Sequence, residues 1–157
     1  MTADPFLEED VRVLTPEAFE FVFNNELKRA ERSQNFLTLV LLEPRSEDRD
    51  PHDVVREVAR LISREVRQTD LLAASKEGRL SMVLLDADLH HSLGVIDRLM
   101  EQLEHYQFSA PLTVDVGAAC CPTDGSDAES LRRIASSRAA MPRGGSTGRG
   151  ANASNRQ

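Results

Sequence analysis

At 157 residues the chain is long enough to bury one good core and short for two, so a single domain is expected. With 40% apolar and 29% charged residues it has ordinary globular composition, and no apolar run approaches the ~20 residues that span a bilayer. A net charge of −7 argues against sequence-independent nucleic-acid binding, which wants a basic surface.

The N-terminus, Met-Thr-Ala-Asp-Pro-Phe-Leu-Glu-Glu-Asp, is acidic and lacks the basic and apolar regions of a signal peptide, so a cytoplasmic location is expected. Cys120 and Cys121 are adjacent and supply neither a disulfide framework nor a four-ligand zinc site. They read as small apolar residues of a strand. No metal site and no cofactor is expected from this residue set.

Residues 1–14 read as a lead-in, with Val11, Val13 and Leu14 able to pack on the domain. Thr15-Pro16-Glu17 starts a helix: Thr as N-cap, Pro in the first turn, an acid near the positive end of the dipole. Phe19, Val22, Phe23, Leu27 and Ala30 recur at helical spacing and form its apolar stripe. Phe36–Glu43 is apolar on both faces and predicts a central strand, followed by a polar loop over 44–53. Asp50-Pro51 opens a second helix with Val54, Val55, Val58, Leu61, Ile62 and Val66 inward.

Asp70–Ser75 and Arg79–Leu85 predict the two strands of a hairpin joined by Lys76-Glu77-Gly78, with Gly78 taking the positive φ of a tight turn. Being apolar on both faces, the hairpin belongs centrally in a helix-covered sheet. Asp86-Ala87-Asp88 caps a third helix, Leu89–Tyr106, with Leu89, Leu93, Ile96, Met100 and Leu103 inward. His90 and His91 are adjacent, point apart and read as exposed. Pro111–Cys121 predicts a further strand. Ser126-x-x-Glu129 has the form of a capping box for a last helix, Ala128–Ala140, which Pro142 stops. The Gly/Ser/Asn/Arg-rich remainder, within 142–157, reads as a disordered tail. Strands alternating with helices around one hairpin imply an α/β fold with a mixed central sheet and helices on both faces.

Several stretches resemble one family. Glu26-Leu-Lys-Arg-Ala-Glu-Arg32, the Arg67-x-x-Asp70 placed five residues before the hairpin turn, and Leu112-Thr-Val-Asp-Val-Gly-Ala-Ala-Cys-Cys-Pro-Thr-Asp-Gly125 are similar to segments of GGDEF domains, the diguanylate cyclases. The resemblance covers roughly residues 14–141. It implies the nucleotidyl-cyclase variant of a ferredoxin-like core over 15–141, and a role in bacterial cyclic di-GMP signal transduction.

The family's catalytic signature is missing. Two magnesium-binding carboxylates are needed to neutralise phosphate charge and activate the attacking hydroxyl. The resemblance puts Glu43 at the strand-end position, but Gly78 and Arg79 where the turn acids belong. The family's base-reading segment also has no counterpart between Glu43 and Val54. The expectation is a degenerate, catalytically inactive domain in which the Arg79 guanidinium lies beside Glu43 in place of the ion.

Two functional readings stay open. In the family, Arg-x-x-Asp in this register binds cyclic di-GMP, an Arg fork gripping the guanine edge and a carboxylate accepting its N–H donors. Arg67 and Asp70 are then ligand-binding residues. The same pair also reads as a salt bridge tying the helix end to the first hairpin strand. The other function is an interaction module that docks a signalling protein or a second copy of itself. Neither nucleic acid nor membrane is expected as a partner.

Overall fold

The computed structural model describes residues 6–8, 11–67, 70–75, 77–106 and 111–140. They form β1 (Phe6–Glu8), β2 (Val11–Leu14), α1 (Pro16–Ser33), β3 (Leu37–Arg45), α2 (Pro51–Ser63), β4 (Leu71–Ala74), β5 (Leu80–Leu85), α3 (Leu89–His105), β6 (Thr113–Cys121) and α4 (Ala128–Ala140). The six strands make one sheet in the order β1-β2-β4-β5-β3-β6. The β2–β4 pair is parallel and every other pair antiparallel. The expected α/β class with a mixed sheet is what is found, and the β4–β5 hairpin and β3 are interior strands.

Local chemistry starts each helix. Thr15 Oγ1 accepts from the Ala18 N–H at 3.2 Å, with Pro16 at the first position of α1. Asp50 does the same for His52 N–H in α2, and Asp88 for His91 N–H in α3, both at 2.8 Å. Each cap satisfies one of the N–H groups a helix start leaves without a partner. For α4 the cap is Asp127, whose carboxylate accepts from Ser130 N–H at 2.7 Å, and not the Ser126 box read from the sequence. Asp suits this place because its negative charge meets the dipole's positive end. The backbone N–H and hydroxyl of Ser130 both hold the Asp127 carboxyl below the usual carboxylate range.

Alternation along the strands sends side chains to two cores. Val40, Leu42, Leu72, Met82, Leu84 and Val116 pack beneath α2 and α3. Leu37, Leu39, Leu41, Val83, Ala119 and Cys121 pack beneath α1 and α4. Burial of each large aliphatic side chain contributes about 1.5–3 kcal/mol before chain entropy is counted. Both cysteines are buried and free, and burial pushes the Cys121 thiol up from its ordinary value, as expected of apolar strand residues.

Three sequence readings shift. Residues read as a lead-in supply β1 and β2, and Val13 is buried in the core. The β3 strand runs on through Pro44 and Arg45, which the sequence assigned to a loop. Pro44 pairs only with Val114 of β6, because β5 stops opposite Leu42, so its missing N–H breaks no second ladder. In α3, Leu93 is 42% exposed while Ser92 and Leu99 are buried, which rotates the inward stripe. His90 and His91 are exposed, as read. The tail reading, 142–157, lies outside the described residues. No helix among the described residues is long and apolar enough to cross a membrane.

Candidate functional site

Where β3 emerges past the end of β5, Glu43, Pro44 and Arg45 line a cleft of about 1080 Å³, with Gly78 and Arg79 before β5 and Leu112 before β6 also in its lining. Gly78 sits in the hairpin turn at φ +89°, and a Cβ there would lie 3.3 Å from the Pro51 Cβ. Both the left-handed backbone and the close approach of α2 select glycine.

Alternation places Glu43 and Arg45 on one face of β3, and the β3–β6 register sets Asp115 opposite Glu43. The Glu43 carboxylate is ion-paired with the Arg79 guanidinium, and Arg45 stands 4.0 Å from it on the other side. Arg45 is in turn paired with Asp115. Four side chains thus close a neutral network of two carboxylates and two guanidiniums. Arg79 meets Glu43 as expected from the sequence. Arg45 and Asp115 were not singled out there. The signal that could have found Arg45 is its i, i+2 spacing from Glu43 within a strand.

Magnesium, which the family resemblance implies at this position, does not fit these residues. It demands oxygen ligands in near-octahedral array. Gly78 offers no side-chain oxygen, and Arg79 sets a cation against the Glu43 carboxylate. Among the described residues no group of three His, Cys, Asp or Glu side chains is placed to hold a metal ion.

Arg67 and Asp70 lie at the opposite end of the sheet, where α2 passes into the hairpin. Asp70 is buried, with 4% of its surface exposed, while the Arg67 side chain is 59% exposed. The Asp70 carboxylate accepts from Arg67 N–H at 3.2 Å, from its Nε and Nη2 at 3.3 Å, and from Leu85 N–H at 3.2 Å. Arg67 Nη2 also donates to the Leu85 carbonyl at 2.7 Å. Asp70 therefore ties the segment after α2, at Arg67, to the end of β5 and fixes the guanidinium at the surface. The tie runs to the second hairpin strand rather than stopping at the first. Glu43 and Arg79 are brought together at one end of the sheet, Arg67 and Asp70 at the other.

No family model and no curated protein matches the sequence. Solved structures do. A diguanylate cyclase protein from Thermotoga maritima is similar at TM-score 0.72 and 12% identity, over 86% of this chain and 98% of that one. The FimX GGDEF domain from Pseudomonas aeruginosa is similar at TM-score 0.73 and 13% identity, over 87% and 92%. The coiled coil and GGDEF domain of DgcB from Caulobacter crescentus, solved in complex with c-di-GMP, gives TM-score 0.70 and 16% identity, over 84% and 77%. The sheet order, the two helical layers and these likenesses together give this chain the fold of GGDEF diguanylate cyclase domains.

Proposed function

We propose that this chain is a non-catalytic GGDEF-fold signalling domain of the cytoplasm, working by binding rather than by turnover. The observation that carries the reading is the ion pair of Arg79 with Glu43, in the place where the family resemblance would put a magnesium ion. Phosphoryl transfer is almost entirely positioning and charge neutralisation, so a site with one carboxylate already neutralised by arginine has little to offer it. With GTP and magnesium the purified protein is expected to form no cyclic di-GMP. Turnover abolished by Glu43→Ala would overturn the reading.

The binding mode favoured for the surface end is cyclic di-GMP on Arg67. DgcB, of the same fold, was solved with that dinucleotide. Here the exposed Arg67 fork is held at the surface by Asp70, which is the kind of preorganisation a guanine edge rewards. Asp70 acts as the positioning residue, its oxygens being taken up by Arg67 and Leu85 N–H. That saturation also supports the second reading, a docking module for a signalling protein or a second copy, in which the pair is structural only. Calorimetry separates them: cyclic di-GMP binding that Arg67→Ala weakens by roughly 1–3 kcal/mol supports the receptor. Absence of heat at high micromolar ligand leaves the docking module.

A further inference from the structure

At the Arg67 end of the sheet Asp70 is already filled. Four N–H groups, three of Arg67 and one of Leu85, reach a carboxylate that has about four lone-pair sites. A base held there by Arg67 needs another acceptor for its own N–H donors. The residue after Leu85 carries one. Asp86 is exposed, and its carboxylate has no hydrogen-bond or ion-pair partner among the described residues.

The backbone of Asp86 sits at φ +57°, in the left-handed region that a non-glycine residue seldom adopts. Gln34, at φ 59°, does so in ending α1, whereas Asp86 follows a strand. Both neighbours of Asp86 are pinned. The Leu85 N–H donates to Asp70 and its carbonyl accepts from Arg67 Nη2 at 2.7 Å. The Ala87 carbonyl accepts from the buried Thr38 Oγ1 at 2.9 Å. A sparsely populated backbone that its surroundings hold in place points to function. Here it presents a fixed acid one residue from the carbonyl that Arg67 holds.

Phe36 stands beside it. Leu37 pairs with Leu85 across β3 and β5, so Phe36 and Asp86 are the next residues outward on the two strands. They line one surface hollow, and the Phe36 side chain is 43% exposed. The other charges on its rim, Glu26 and Arg29, pair with each other at 3.3 Å. At about 20 Å³ the hollow is too small to enclose a base, which leaves its rim as the contact surface.

We propose that Asp86 selects guanine at the Arg67 site, with Phe36 as the stacking platform. Guanine presents N1–H and N2–H donors beside O6, and Asp86 accepts both while Arg67 holds O6 and N7. Adenine sets an unprotonated N1 against the carboxylate and an N6 amino group against the guanidinium, so both contacts turn repulsive. The assignment rests on the receptor reading of Arg67 and adds to it the residue that reads the base.

Calorimetry with cyclic di-GMP and cyclic di-AMP tests it on wild type, Asp86→Asn, Phe36→Leu and Arg67→Ala. Asn tolerates the left-handed backbone as Asp does, so Asp86→Asn should leave the melting temperature unchanged. It should weaken cyclic di-GMP at least about tenfold and narrow the preference for guanine, because a carboxamide can both donate to and accept from adenine. Phe36→Leu should weaken both dinucleotides by a similar factor, since stacking does not read base edges. Cyclic di-GMP binding that Arg67→Ala weakens and Asp86→Asn leaves intact overturns the role of Asp86 while the receptor reading stands. An Asp86→Asn loss that is equal for the two dinucleotides, or that comes with a lower melting temperature, marks a structural role and overturns it too. Unchanged binding in Phe36→Leu overturns the platform. A wild type that binds neither dinucleotide overturns the receptor reading and this assignment together.

Discussion

Arg79 reaches from the hairpin turn to the carboxylate of Glu43 at the end of the neighbouring strand, and the two side chains neutralise one another across the mouth of the cleft. Their side chains are 41% and 26% exposed, so solvent screens much of the attraction, and Arg45 stands by as a second cation. Arg79→Ala is therefore expected to cost about 1 kcal/mol or less in denaturant melts. Magnesium at millimolar level is expected to leave the melting temperature of the wild type unchanged. A clear magnesium-dependent rise would refute the idea that the guanidinium stands where an ion would.

Asp70 should be more sensitive. It is buried and accepts from Arg67 and from Leu85 N–H, so Asp70→Ala strands donors from the segment after α2 and from β5 at once. The expected loss is roughly 1.5–3 kcal/mol in urea. Arg67→Ala should cost less, because the remaining backbone donors still hold the carboxylate. Equal losses would show that the guanidinium carries the tie.

Gly117 tests how closely α4 rests on the sheet. A Cβ there would fall 2.0 Å from the Ala135 carbonyl oxygen and 2.4 Å from Ala139 N, both backbone atoms that cannot rotate aside. Gly117→Ala is expected to destabilise by about 3 kcal/mol or more by displacing the helix. A neutral result in thermal melts would mean that α4 has slack.

Asp124 gives the pH prediction. Arg138 donates to both of its oxygens at 3.0 Å, and this pairing holds the carboxyl below its ordinary value of 3.8. A depressed folded value contributes stability that is complete above the unfolded value and disappears as pH falls through the folded one. The stability difference between wild type and Asp124→Asn should therefore be constant near neutrality and shrink below pH 3.8. A difference that grows on acidification would reverse the assignment.

Much of this architecture is legible in the sequence because strong local signals agree with the tertiary result. The double-sided apolar run of β3, the Gly78 turn and the Thr15-Pro16 start each have one physical solution. The misses fall where local signals are weak or rival. Phe6–Glu8 and Val11–Leu14 are too short to carry a period; Val11–Leu14 forms a strand against the edge of β4, and Phe6–Glu8 against Val11–Leu14. Pro44 reads as a strand breaker until the end of β5 is known. In α3 the Leu93 and Leu99 phases compete, and the packing of the sheet chooses Leu99. At the cleft, the meeting of Glu43 with Arg79 follows from the family resemblance. The Arg45–Asp115 half of the network needs the β3–β6 register, which the sequence does not state.

The Asp124–Arg138 pair has another consequence. The β6 strand is the last of the described sheet, and its outward backbone groups are a template for pairing with another chain. Asp124 covers the Cys120 N–H at 2.9 Å, and Arg138 covers the Ala118 carbonyl at 2.8 Å. One side-chain pair thus covers two backbone groups of this border. Acid strong enough to protonate Asp124 loosens the fold and uncovers that border in the same step, so self-association in acid should begin at Ala118–Cys120.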